Sequence, residues 1–116
     1  MNPKQVAYFR RRLEETRASL QRELAASQLS EPDDSGRAGD QTDHASADSE
    51  REFMVQNRER IQMLLRQTER ALARIDNGTY GYCDDTGEPI DLKRLMAQPA
   101  TSLSVSAQEA REKRTR

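Results

Sequence analysis

Residues Met54, Asn57, Ile61, Leu64, Thr68, Ala71 and Ile75 alternate steps of three and four over 22 positions. That is a heptad seam with two polar breaks, and it restricts the chain to a helix presenting one narrow apolar stripe to a partner helix. The partner lies upstream. From Pro3 to about Leu29 the chain is rich in good helix formers, and Phe9, Leu13, Thr16, Leu20 and Leu24 recur at the same spacings. Asn2 followed by Pro3 supplies a cap and a first turn. Ser49 and Glu52 are spaced as a capping box ahead of the second apolar run, which predicts helices over about 3–29 and 49–76. The run Arg10, Arg11, Arg12 reads as a solvated helix face.

Between them, residues 30–48 (SEPDDSGRAGDQTDHASAD) hold Ser, Asp, Gly and Pro and no aliphatic side chain beyond Ala, the composition of an acidic loop. Two helices of similar length joined by a polar loop fold back as an antiparallel hairpin, here over residues 1–78. At 1.5 Å per residue each helix would run roughly 40 Å, with the acidic loop at the tip.

Composition agrees with a thin seam. The 116 residues are 34% hydrophobic and 4% aromatic, without Trp, too little for one large round core. The charged fraction is also 34%, yet 19 basic residues face 20 acidic ones. A balanced surface lacks the cationic excess that drives general nucleic-acid binding, so direct sequence-specific DNA binding is not expected. No apolar run approaches the roughly 20 residues of a membrane span, and the N-terminus has no signal-peptide pattern. A single cysteine rules out an intramolecular disulfide framework and suits a reducing compartment, so a cytoplasmic protein is expected.

After Asn77 and Gly78, a helix stop, residues 79–116 carry turn glycines, prolines and short apolar clusters, then a basic helical tail. They predict a small knob with Tyr80, Tyr82, Ile90, Leu92, Leu95, Met96, Leu103 and Val105 as core candidates. Eight side chains do not offset the entropy of ordering such a segment, so the knob must pack on the ends of the hairpin. YGYC at 80–83 resembles the opening of a zinc knuckle, but Thr86 stands where its second cysteine would be.

Three stretches then point to a family. DQTDHA at 40–45 matches a D-x-x-D-x-A tip motif, NRER at 57–60 lies on the returning helix, and GYC, TGEPI and KRLMAQP occupy 81–99 in order. Over about residues 40–113 the chain resembles the DksA/TraR family of bacterial transcription factors. The resemblance implies a mainly α fold: a long antiparallel coiled-coil hairpin on a small zinc-finger-like base with a C-terminal helix. It also implies RNA polymerase as the partner, entered through its secondary channel. There Asp40 and Asp43 would meet basic groups, the catalytic Mg²⁺ or mobile elements near the active site, while Ala45 stays small enough to avoid a clash.

The family's four zinc cysteines fall on Cys83, Thr86, Ser104 and Ala107. One thiol, two hydroxyls and a methyl cannot make a closed zinc site, so the base is expected to lack zinc. Cys83 is then either a small buried hydrophobe or a redox-sensing thiol. His44, the only histidine, reads as a solvated loop residue before it reads as a metal ligand. Arg60 matches a family position that engages the polymerase rim or the alarmone guanosine tetraphosphate (ppGpp), and equally fits an exposed helix arginine. Other basic alarmone positions are Gln67, Gln98 and Gln108 here, which removes cationic partners for phosphate. Lys93 and Arg94 are candidate replacements, and ppGpp stays open as a co-effector. No cofactor is expected, and no catalysis, for the chain has no metal-ligand cluster, activated nucleophile or phosphate loop. A monomeric regulator of transcription initiation in the stringent response is the leading reading; a coiled-coil adaptor or dimerisation module without polymerase activity is the alternative.

Overall fold

The computed structural model describes residues 1–29 and 41–115, with backbone only for Leu29 and residues 41–46. Four helices follow in order: α1 (Pro3–Leu29), α2 (Gln41–Asn77), α3 (Leu92–Ala97) and α4 (Val105–Arg114). Among the described residues there is no strand, only an isolated antiparallel bridge between Tyr82 and Pro89. None of their helices is long and apolar enough to cross a membrane.

Helix α1 begins where the sequence places it. The Gln5 amide donates to Asn2 Oδ1 at 2.8 Å and the Asn2 amide to Gln5 Oε1 at 3.1 Å, a reciprocal capping box. Pro3 takes the first helical position, where no amide partner is needed. Helix α2 departs from expectation: it starts at Gln41, eight residues before Ser49, so Ser49 and Glu52 are interior and cap nothing. Ala47, in its second turn, is buried. At the other end the Thr79 and Tyr80 amides both donate to Arg74 O, at 2.9 and 3.2 Å, as Gly78 turns to φ +81. A left-handed glycine closing the last carbonyls is the usual helix stop.

The chain divides into two compact units, Ala18–Leu65 and the combination of Met1–Arg17 with Arg66–Arg116. In the first, Leu20, Ala47 and Ile61 are buried, and Arg58 Nε donates to Ser27 Oγ at 3.3 Å. In the second, Phe9 and Leu13 of α1 join Ala71, Leu72 and Ile75 of α2 in one core with Tyr80, Cys83, Ile90, Leu95 and Ala107. Arg10, near the start of α1, pairs with Asp76, at the end of α2, at 2.8 Å. Within each unit the α1 and α2 segments therefore pair antiparallel. The seam on α2 holds through its polar break, Thr68 being buried. Thr16 on α1 is exposed, so that stripe is interrupted there.

The expected knob core is half right. Tyr80, Ile90 and Leu95 are buried and Leu103 packs at the edge, whereas Tyr82, Leu92, Met96 and Val105 are 43–51% exposed. The reason is borrowed surface. Phe9, whose ring lies 5.8 Å from that of Tyr80, and the end of α2 supply the far wall, so α3 needs only Leu95 on its inner side. The Tyr80 hydroxyl donates to Pro99 O at 2.7 Å, and burial pushes its pKa up to about 12 against the lowering effect of Arg12. Arg12 in turn donates to Met96 O at 2.9 Å and lies over the Tyr8 ring, which ties α3 to α1.

Candidate functional site

The knuckle is built from a tight turn. The Cys83 amide donates to Glu88 O at 2.8 Å and the Gly87 amide to Cys83 O at 2.9 Å, which closes residues 83–88 on themselves. The Asp84 amide donates to Ser102 O at 2.8 Å and brings up the segment that starts α4. Ser104 caps that helix, its Oγ accepting from the Ala107 amide at 3.2 Å.

Cys83, Thr86, Ser104 and Ala107 lie together where the turn meets the start of α4. The Ser104 amide donates to Cys83 Sγ at 3.4 Å, Ser104 Oγ caps α4, and Thr86 Oγ1 accepts from the Glu88 amide at 3.3 Å. Ala107 contributes a buried methyl. This donor set does not fit zinc, which takes four thiolate or imidazole ligands in a closed site. Among the described residues there is no group of three or more His, Cys, Asp or Glu able to hold a metal. Burial pushes the Cys83 thiol up, but hydrogen bonds from Thr86 and Ser104 outweigh it and bring the pKa down to about 6. The thiol is buried, inside the main core.

Two neighbours of Cys83 escaped the sequence reading. Asp84 pairs with Arg74 of α2, and Asp85 receives both arms of Arg111 of α4, Nε to Oδ2 at 2.8 Å and Nη2 to Oδ1 at 2.5 Å. That fork, together with the cation itself, holds the Asp85 carboxyl below the usual range. The only advance signal was a pair of adjacent carboxylates inside a turn that had lost its metal ligands.

Gln67, Gln98 and Gln108 are all exposed. Gln98 caps α3, its amide donating to Arg94 O at 2.7 Å. Gln108 Oε1 accepts from Arg94, and its amide group donates to Glu112 at 3.2 Å. Arg94 also donates to Leu103 O at 2.7 Å, so it is engaged within the base; Lys93 is exposed. Arg60 sits in the other unit on an exposed face of α2, with Nη2 3.1 Å from Asn57 Oδ1. Asp40 lies outside the described residues. Asp43, His44 and Ala45 fall in the opening turns of α2, where only the backbone is described.

Comparison with known proteins covers the same ground. Residues 5–75 match the model described as the DnaK suppressor protein DksA, N-terminal domain, and residues 78–113 match the prokaryotic dksA/traR C4-type zinc finger. The RNA polymerase-binding transcription factor DksA of Caulobacter vibrioides is 36% identical over 116 residues, spanning 100% of this chain and 82% of that protein. The Escherichia coli factor of the same name is 32% identical, spanning 97% and 77%. Among solved structures, transcription factor DksA2 from Pseudomonas aeruginosa superposes with a TM-score of 0.85 at 36% identity, covering 99% of this chain and 88% of that one. The Chlamydia trachomatis RNA polymerase binding protein and transcriptional regulator Dks gives 0.62 at 29% identity, covering 97% and 93%.

Proposed function

Since the chain belongs to the DksA/TraR family, whose members are transcription factors and not enzymes, we propose that it binds RNA polymerase and regulates transcription initiation. The observation that carries this reading is end-to-end likeness: 36% identity over the whole chain to a factor named for polymerase binding. The hairpin would enter the secondary channel and bring Asp40 and Asp43 near the active site, with Ala45 allowing close approach. A carboxylate pair at that position acts by charge, through nearby cations or Mg²⁺, and needs no pocket of its own. Arg60, exposed on α2, is a contact for the polymerase rim or the alarmone.

The protein acts as a cytoplasmic monomer, contacts polymerase and not DNA sequence, and responds weakly to ppGpp. The last point rests on Gln67, Gln98 and Gln108, which cannot neutralise phosphate, and on the engagement of Arg94 inside the base. The C4-type zinc finger named by the matched family model finds one cysteine at its four positions, Cys83, with Thr86, Ser104 and Ala107 at the others, a donor set that does not fit zinc.

The test is in vitro transcription from a ribosomal-RNA promoter with the purified chain and a chelator present, comparing wild type with Asp43→Asn. Wild type should alter initiation, and the variant should bind polymerase equally while losing the effect. A transcriptional effect that survives Asp43→Asn unchanged, or one that requires added zinc, would refute the proposal. Strict dependence on ppGpp would refute the weak-response part alone.

A further inference from the structure

A four-cysteine site joins two segments, the knuckle turn and the start of the last helix, through one metal. We infer that in this chain an ion pair, Asp85 with Arg111 of α4, cross-links the same two segments instead, and that Asp84 with Arg74 of α2 is the second arm of one clamp. Asp85 lies between Cys83 and Thr86, the two knuckle positions of the metal pattern. Arg111 stands one turn after Ala107 on α4, so Ser104, Ala107 and Arg111 share a face. The Asp85–Arg111 fork therefore spans the gap that a metal would span, and both carboxylate oxygens are engaged.

Asp84 adds a tie that the metal pattern does not include. Its carboxylate reaches Arg74 on the last turn of α2, and its amide is held by Ser102 O at 2.8 Å. Adjacent residues in the turn thus send their carboxylates to two different helices. Arg74 is largely sheltered, whereas Asp84, Asp85 and Arg111 are exposed, so both pairs are open to screening by solvent and salt. Asp84–Arg74 fixes the knuckle to the hairpin, Asp85–Arg111 fixes α4 to the knuckle, and the Ser104 amide bonded to Cys83 Sγ closes the middle. The base exchanges metal dependence for salt dependence, because a charge clamp weakens as the Debye length shrinks.

Amide hydrogen exchange on the intact chain reads this directly and does not involve polymerase, so its outcome is separable from that of the transcription test. The reporters are the amides of Cys83, Asp84 and Gly87, measured against interior amides of α1. Chelator or added zinc should leave wild-type exchange unchanged, and about 1 M NaCl should accelerate the reporters. Asp84→Asn and Asp85→Asn should each raise reporter exchange by up to about fivefold, the range open to exposed ion pairs, by local opening of the knuckle. The reciprocal swap Asp85→Arg with Arg111→Asp should recover much of the loss relative to Asp85→Arg alone. Slowing of the reporters by zinc would overturn the inference, as would Asn variants that exchange like wild type. If an Asn variant does not fold, the salt titration of wild type decides, and reporters indifferent to salt overturn the clamp.

Discussion

Leu95→Ala tests the claim that the base has no core of its own. Leu95 is 0% exposed and belongs to the cluster that includes Phe9, Leu13, Ile75 and Tyr80. Truncation removes a fully buried side chain and leaves a cavity between α3 and the ends of α1 and α2. Such changes cost about 2–5 kcal/mol, depending on how far the walls collapse. Helix α3 is only six residues long and is held to α1 by Arg12, so it can move in part, and about 3 kcal/mol is expected. Leu92 and Met96 flank Leu95 on the same helix but are 43% and 46% exposed, so truncating either should cost about 1 kcal/mol or less. The assay is urea unfolding followed by far-ultraviolet circular dichroism for the helices and by the near-ultraviolet tyrosine signal for the base. Because Tyr80 packs on Phe9, the two signals should move to lower urea together in Leu95→Ala. If the tyrosine signal shifted alone, or if Leu92→Ala cost as much as Leu95→Ala, the shared core would be refuted.

Two further outcomes follow from local geometry. Gly78 holds φ +81 in open space, so Gly78→Ala meets no atom and should cost only the left-handed conformation, roughly 1 kcal/mol, read from the same urea curves; a neutral result would mean that the helix stop does not need this turn. Cys83 titrates in the folded state at about 6, below its ordinary value of 9.0. A folded pKa below the unfolded one contributes stability at pH above the unfolded value, and that contribution is lost as pH falls through about 6. The melting-temperature gap between wild type and Cys83→Ala should therefore widen in favour of wild type between these two pH values, and a gap flat in pH would refute the assignment.

What could be read from the sequence divides by range of interaction. The start of helix α1 was legible because Asn2 and Pro3 lie within one turn of it and the apolar period of three and four is local; the reciprocal bond to Gln5 was not read. The stop of α2 was legible for the same reason, since Gly78 acts on carbonyls four residues back. Its start was not. Ser49 and Glu52 have capping spacing, but Ala47 is buried and the helix continues to Gln41, a tertiary effect absent from the local pattern. The knob core failed for a related reason: counting apolar residues in 79–116 cannot show that Phe9, Leu13 and Ile75 come from elsewhere to cover Leu95, leaving Leu92 and Met96 outside.

A donor set that does not fit zinc is easier to read from sequence than the ion pairs that would stand in for it. Zinc ligands must be thiolate or imidazole at set spacings, so Thr86, Ser104 and Ala107 reveal the misfit at once. Ion pairs use residues found everywhere in a chain that is 34% charged, and their partners are separated by distances in sequence that follow no rule. Asp84 meets Arg74 ten residues upstream, and Asp85 meets Arg111 twenty-six residues downstream. Neither spacing is a helical or strand period, so neither could stand out before the helices were placed. The physical demand was legible all the same. A knuckle without its metal must be held by something, and Cys83, buried among Tyr80, Ile90 and Ala107, does not supply a cross-link by packing alone. The candidates were always the polar residues beside it, and in this turn these are two carboxylates facing arginines from two helices.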